Sequence, residues 1–258
     1  MNAIAVMPLG RLAHAYATEI RFEFVRSLRT MAFVVPFMLI PVATYALFGL
    51  TAGGNPTVAS DPQIANMLFV GFAVFAVIGP GLFGIGVSLA TERTAGLLKL
   101  KRALPAPAGS SILAKLAMGF LFALLAVLPV FVVGLSSGKV TLSAAHLLVL
   151  AGVLGLGSLP FCAIGLFIGS YASGSAAPAF TNLVYLPSIW LSGMFIPLPA
   201  FLRPQTIFWP AFHVDQLALE AVGLTKFVYV PTLVSAAVVA GITVLFSGLA
   251  IQRLSRKG

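Results

Sequence analysis

The sequence predicts an all-α membrane protein with six transmembrane helices. Hydrophobic residues make up 60% of the chain and charged residues 8%, whereas soluble domains carry about 25% charged residues. The charges concentrate at the ends of long apolar runs. Several runs reach the roughly 20 residues that a helix needs to cross a bilayer core about 30 Å thick. The runs are uniformly apolar, so they lack the alternation of membrane β-barrel strands.

The first expected element is an amphipathic helix that precedes the first apolar run. Its apolar residues Leu12, Tyr16 and Ile20 recur at four-residue spacing, with charged residues among them. This spacing puts the apolar side chains on one face, as in helices that lie on a membrane surface; a plain solvated tail is the alternative. The chain therefore divides into a cytoplasmic interfacial helix in residues 1–30 and a six-helix transmembrane domain in residues 31–258.

The apolar runs set the expected spans, and the basic residues set their orientation. With the N-terminus in the cytoplasm, only Lys139, Arg203 and Lys226 of the fifteen basic residues fall in outer segments. Cytoplasmic segments carry the excess of Lys and Arg, so both termini are expected inside. The net charge of +9 is then explained by membrane lipid, and no nucleic-acid partner is expected. The six predicted spans are 31–50, 64–90, 112–135, 144–170, 177–199 and 228–251.

The connection between the fifth and sixth spans, residues 197–227, is too long and too apolar for a simple loop. Prolines interrupt it, and Phe208, Trp209 and Phe212 are aromatic residues of the kind that favour a membrane interface. We expect short helical pieces that re-enter the outer leaflet. Irregular backbone is tolerated at that depth only where protein or a wet cavity covers it.

A charged segment connects the second and third spans. A helix through residues 95–104 would put Leu97, Leu100 and Leu104 on one face, and Leu98 beside the basic residues on the other. Such a helix could rest on the bilayer with its first face and offer Leu98 to a cytosolic partner. The alternative is a basic loop that only fixes the orientation of the spans.

This segment carries a family resemblance. Glu92-Arg93-x-x-Gly96-Leu97-Leu98-Lys99, followed by Arg102-x-x-Pro105, resembles the E-R-x-x-G-x-L…R-x-x-P signature of type-2 permeases of ABC exporters. Residues 182–187, 191–193, 197–199 and 210–213 are similar to the fifth span and external segment of that family. Lys99, Ala103 and Leu104 depart from the common pattern and suggest a drug-type or lipid-type subgroup.

The resemblance implies that the segment is a coupling helix, which inserts into a groove of a nucleotide-binding ATPase subunit. ATP and Mg would bind that partner, and this chain would bind no cofactor. Two permeases, identical or different, would export cargo by alternating access in a bacterial inner membrane. The residues implied in coupling are Glu92, Arg93, Gly96, Leu97, Leu98, Arg102 and Pro105.

The chain shows no sequence motif for its own catalysis. The nearest approach to a phosphate-binding loop, residues 134–140, is one residue short and ends in valine. One cysteine and three widely spaced histidines do not have the spacing of metal ligands. We therefore predict no catalytic residue and no metal-binding residue. An ion-coupled or passive transporter remains the main alternative, and an intramembrane hydrolase a further one.

The predicted spans contain no Asp or Glu, although ion-coupled transport usually needs a buried ionisable group. An apolar or amphipathic cargo is therefore expected. Polar and aromatic residues inside spans are candidates for its pathway, while a buried Asn can equally hold helices together. Glycines 79–86 could form a hinge or a close-packing surface. The pathway candidates are Tyr45, Asn66, Asn182, Tyr185, Ser188, Trp190 and Ser192.

Overall fold

The computed structural model is helical in every regular element of the part of the chain that it describes. The predicted all-α class is therefore confirmed. Residues 99 and 101–109 of the charged segment lie outside this part, so the predicted roles of Arg102 and Pro105 stay predictions. The described residues are 8–51, 54, 60–98, 100, 110–196 and 198–257.

Ten α-helices of nine or more residues lie in the described part of the chain, and Leu97, Leu98 and Leu100 are also helical. Two π-helical segments interrupt the first membrane helices: Tyr45–Gly49 continues α2, and Pro80–Ile85 joins α3 to α4. Two short 3-10 helices, Ala200–Phe208 and Thr225–Phe227, flank α9. The α-helices are α1 Leu9–Arg29, α2 Met31–Thr44, α3 Pro62–Gly79, α4 Gly86–Thr94, α5 Ser110–Ser136, α6 Ala144–Gly157, α7 Leu159–Tyr171, α8 Ala177–Trp190, α9 Pro210–Ala221 and α10 Thr232–Lys257.

Four helical stretches are long and apolar enough to cross a membrane: Pro62–Thr94, Ser110–Ser136, Ala144–Tyr171 and Thr232–Arg256. A fifth is counted if α1 and the helix after it form one span broken by a bend of 70°. The chain is therefore a multi-pass membrane protein. The amphipathic helix predicted from the spacing of Leu12, Tyr16 and Ile20 forms as a separate helix, α1.

The predicted fifth span, 177–199, is shorter than expected because α8 ends at Trp190 after 14 residues. At about 1.5 Å per residue this is about 21 Å, less than the bilayer core. Pro187 lies inside the last turn of α8, and Gly193 adopts a φ of +77°, which favours glycine and turns the chain away from helix. The six-span count consequently stays a prediction.

The continuous stretch Pro62–Thr94 forms the centre of the bundle, with its apolar window almost wholly buried. It contacts α5 on one side and α7 on another. A Cβ at Gly165 would lie 2.7 Å from the Gly81 carbonyl oxygen, and one at Gly169 would lie 2.7 Å from that of Gly86. These distances leave no room for a side chain, so the glycines allow the two backbones to touch. The close-packing interpretation of glycines 79–86 is therefore supported.

The bundle has two chemically different ends. The charged end contains the C-terminal turn of α4, the first turns of α5 and the last turns of α10, with α1 packed along α5. The opposite end contains the α5–α6 connection and α9. Helix α9 contacts α3, α6 and α10, so this predicted external helix is covered by protein.

Candidate functional site

A buried ion cluster, formed by Glu23, Arg26, Glu92 and Lys115, lies at the charged end. The Lys115 Nζ atom donates to Glu92 Oε1 at 3.0 Å and to Glu23 Oε2 at 3.2 Å. Arg26 also donates to Glu92 Oε1. Glu92 and Lys115 are almost completely buried, whereas the Arg26 side chain is half exposed. The cluster joins α1, α4 and α5.

The charges of the buried ion cluster balance, with two carboxylates and two cations. A buried charge without a partner is strongly unfavourable, so each member depends on the others. The Glu92 Oε2 atom is buried without a hydrogen-bond partner among the described residues, which adds to the cost of burying this carboxylate. The cluster therefore fixes the point at which the charged segment leaves α4.

Arg93, the next residue, bonds to a different helix. Its Nε atom donates to the Gly169 carbonyl oxygen at 3.3 Å and its Nη2 atom to that of Ala172 at 2.5 Å. These carbonyls lie at the C-terminal end of α7, where a cation complements the helix dipole. The sequence singled out Glu92 and Arg93 for contact with a partner, and the structure gives both of them contacts within the chain. Their predicted roles in coupling stay predictions.

Gly96 ends α4 and redirects the chain. Its φ is +74°, and its N–H donates to the Arg93 carbonyl at 3.1 Å. A Cβ at Gly96 would meet no atom within 4 Å. Glycine is favoured here by the left-handed backbone and not by lack of space.

The three leucines that follow Gly96, among the described residues, differ in how much of each side chain is exposed. Leu98 is half buried and packs against the apolar cluster at the charged end. Leu97 is 41% exposed and Leu100 is 65% exposed. The predicted contact of Leu98 with a partner stays a prediction, although its side chain packs partly against the bundle. Of these three leucines, Leu97 and Leu100 are the more exposed and could contact a partner.

The pathway candidates do not form one site. Tyr45 is buried against the rings of Phe69 and Phe72. Asn66 exchanges two hydrogen bonds with Thr141, at 2.9 Å and 3.0 Å. These bonds tie α3 to the α5–α6 connection, which favours the alternative that this Asn holds elements together.

The remaining pathway candidates lie on or after α8. Tyr185 packs edge-on against Phe83, and the Ser188 hydroxyl donates to a carbonyl of its own helix at 2.7 Å. Asn182 and Trp190 are exposed on the outer face of α8. Ser192, buried just after the helix, lines a cavity.

That cavity, which we call the Asp215 cavity, lies at the opposite end of the bundle. It has a volume of about 410 Å³. The segment after α8, the 3-10 helix Ala200–Phe208, α9 and the chain before α10 all contribute to it. Its lining includes Met67, Ser192, Arg203, Phe212, Asp215 and Tyr229.

His213, two residues before Asp215, connects α9 with α10 and with the 3-10 helix Ala200–Phe208. Its Nε2 lies 2.8 Å from the Ile207 carbonyl oxygen, and its Nδ1 lies 3.2 Å from Ser235 Oγ. A carbonyl can only accept, so Nε2 carries the proton and Nδ1 accepts from the hydroxyl. Burial lowers the pKa of His213, in keeping with this neutral ring. The sequence showed an isolated histidine, and its role as a link between three elements depends on tertiary contacts.

Comparisons with known proteins agree with this architecture. A family model described as ABC-2 type transporter matches residues 15–215, which include the buried ion cluster, Gly96 and Asp215. The Bacillus subtilis (strain 168) protein named "Putative transport permease YvfS" is 25% identical over 203 residues, which cover 78% of this chain and 82% of that protein. The matched range thus extends from α1 to α9.

Proposed function

Since the chain belongs to the family of ABC-2 type transporters, we propose that it is the permease subunit of an exporter driven by a separate ATPase subunit. The observation that carries the proposal is the pair of exposed leucines, Leu97 and Leu100, which are helical and follow the turn at Gly96. Exposed apolar side chains next to basic residues fit an apolar groove of a protein partner. ATP and Mg would bind that partner.

The buried ion cluster gives the proposed contact a mechanical connection to the bundle. A force on the turn at Gly96 reaches α4 directly, and Glu92 passes it to α1 and α5 through Arg26 and Lys115. Arg93 passes it to α7. ATP binding would then bias one of two packings of the membrane helices, as alternating access requires.

The proposed orientation places the charged end in the cytoplasm of a bacterium, with the chain in the inner membrane and both termini inside. The distribution of Lys and Arg supports this. Six passes would follow if α2 and α8 each cross the membrane with local thinning or tilt. A second permease subunit, identical or different, would complete the pathway.

The proposed cargo is apolar or amphipathic, since the predicted spans hold no acidic residue. The buried carboxyl group of Asp215, which lies outside the predicted spans, favours the alternative of an ion-coupled transporter. Such transport usually needs a buried ionisable group. The two functions differ in their energy source. Transport that continues after ATP depletion would favour the alternative.

Co-purification tests the proposal. Tagged protein is extracted from native membranes in mild detergent, and any soluble subunit that accompanies it is identified by mass spectrometry. We expect a phosphate-binding-loop ATPase with the wild type, and its loss when Leu97→Asp and Leu100→Asp are combined. Ser175→Asp adds a charge to an exposed residue of the α7–α8 connection and should retain the ATPase.

Thermal unfolding in the same detergent separates lost contact from lost fold. The combined variant should unfold at the wild-type temperature, because both leucines are exposed, whereas Leu98→Asp should unfold earlier. Recovery of the wild-type chain without an ATPase, or equal recovery of the ATPase with the combined variant, would refute the proposed contact.

A further inference from the structure

The Asp215 cavity has the composition of a ligand site and not of a packing defect. Its lining is mainly apolar and includes the aromatic rings of Phe212, Phe227 and Tyr229. Its volume of about 410 Å³ lies within the range of about 300–1,000 Å³ typical of small-molecule sites. Ligand sites of this type combine apolar walls with a few polar groups that orient the ligand.

Asp215 supplies the polar group. Its side chain is almost completely buried, and its Oδ1 atom has no hydrogen-bond partner within the described ranges. None of the ion pairs between described residues involves Asp215. The Gln216 side chain hydrogen-bonds the carboxyl group, but a buried carboxyl oxygen that lacks a partner is unfavourable unless something else satisfies it.

The basic side chains nearest to Asp215 in the fold are exposed to solvent and make contacts with other groups. Arg203 lines the cavity, but it is exposed and its Nε atom donates to the Leu198 carbonyl at 3.0 Å. Lys226 is exposed and lies over the Phe227 ring. Water and salt screen exposed charges of this kind. The other titratable groups on α9 and on the elements that contact it near this end are His146, His213, Glu220 and Tyr229.

We propose that the Asp215 cavity binds an apolar organic cation, with the Asp215 carboxylate as its counter-ion and the aromatic rings around its apolar body. A charge-assisted contact in a buried site is stronger than the same contact in water. Aromatic faces also attract organic cations. A bare metal ion fits less well, because hard cations need six or more oxygen ligands and the lining is mainly apolar.

The charge state of Asp215 gives the proposal a distinctive signature. Burial raises the pKa of Asp215 to about 8, so the protonated form predominates at pH 7 in the free protein. A cation that binds there must displace this proton. Binding therefore releases a proton at pH 7, and affinity rises with pH until the carboxyl group is ionised above about pH 8.

The test uses the purified chain in a non-ionic detergent and does not depend on an ATPase partner. The probe is tetraphenylphosphonium, whose charge does not change with pH, and triphenylphosphine oxide is the neutral comparison. Isothermal titration at pH 7 in phosphate and in Tris measures proton release, since the two buffers differ in ionisation enthalpy. We expect the binding enthalpy of the wild type to depend on the buffer.

Two matched variants identify the acid. Asp215→Asn should weaken binding by about tenfold or more and abolish the buffer dependence. It should fold, because the buried site already favours an uncharged side chain. Glu220→Gln changes an acid on the same helix, outside the cavity lining, and should bind as the wild type does.

Four results would overturn the proposal. One is equal affinity of the wild type and Asp215→Asn for the cation, and another is equal affinity of the wild type for the neutral comparison. The third is wild-type binding without proton release at pH 7, which decides the matter even if Asp215→Asn fails to fold. Absence of any cation binding by folded wild type would also overturn it.

Discussion

Glu92 lies where α1, α4 and α5 meet, and its carboxylate accepts hydrogen bonds from Arg26 and Lys115. The sequence marked Glu92 as functional through a motif. It could not show the burial, because Lys115 and Glu23 are 92 positions apart and only the fold brings them together. The charge pattern along the chain placed basic residues at span ends, and the structure shows that one of them, Lys115, turns inward.

Replacing Glu92 with Gln should destabilise the protein. The change leaves Lys115 buried with one fewer carboxylate, and breaking a buried ion pair costs about 3 kcal/mol or more. Thermal unfolding in detergent measures the effect. Asp61→Asn is the control, because Asp61 caps α3 through a bond to the Gln63 N–H and Asn caps equally well. Equal unfolding temperatures of Glu92→Gln and this control would contradict the structural role.

The elements differ in how far local sequence determines them. The regular spacing of apolar residues predicted a helix before the first apolar run, and α1 forms there. It failed for α8, where Pro187 and the turn at Gly193 end the helix before the apolar run is over. Periodicity also showed which leucines of the charged segment share a face, but not which face meets the bundle. The left-handed turn at Gly96 decides that.

Replacing Gly96 with Ala should disturb this turn without creating a clash. The left-handed conformation costs a residue with a side chain about 1 kcal/mol, and the space around Gly96 is open. We expect near-normal unfolding but a reduced yield of the co-purified ATPase, because Leu97 and Leu100 would change direction. Gly10→Ala in α1, which is also open but helical, should leave the yield unchanged. A full ATPase yield with Gly96→Ala would show that the turn does not orient the contact.

The two ends of the helical bundle differ in the charged groups that they bury. At the charged end, the buried ion cluster and Arg93 join α1, α4, α5 and α7. At the opposite end, α9 is covered by three helices and carries the buried Asp215. The sequence predicted helical pieces in this segment but not the cavity, because the cavity depends on how these pieces pack against one another and against Met67 of α3.

Photo-cross-linking from position 100 tests whether the segment after Gly96 contacts a separate ATPase subunit. A benzoylphenylalanine is placed at Leu100, and at the exposed Leu233 of α10 as a control, and native membranes are irradiated. We expect a cross-link from position 100 to a soluble ATPase and none from position 233. Cross-links from position 100 only to lipid, or only to another copy of this chain, would contradict it.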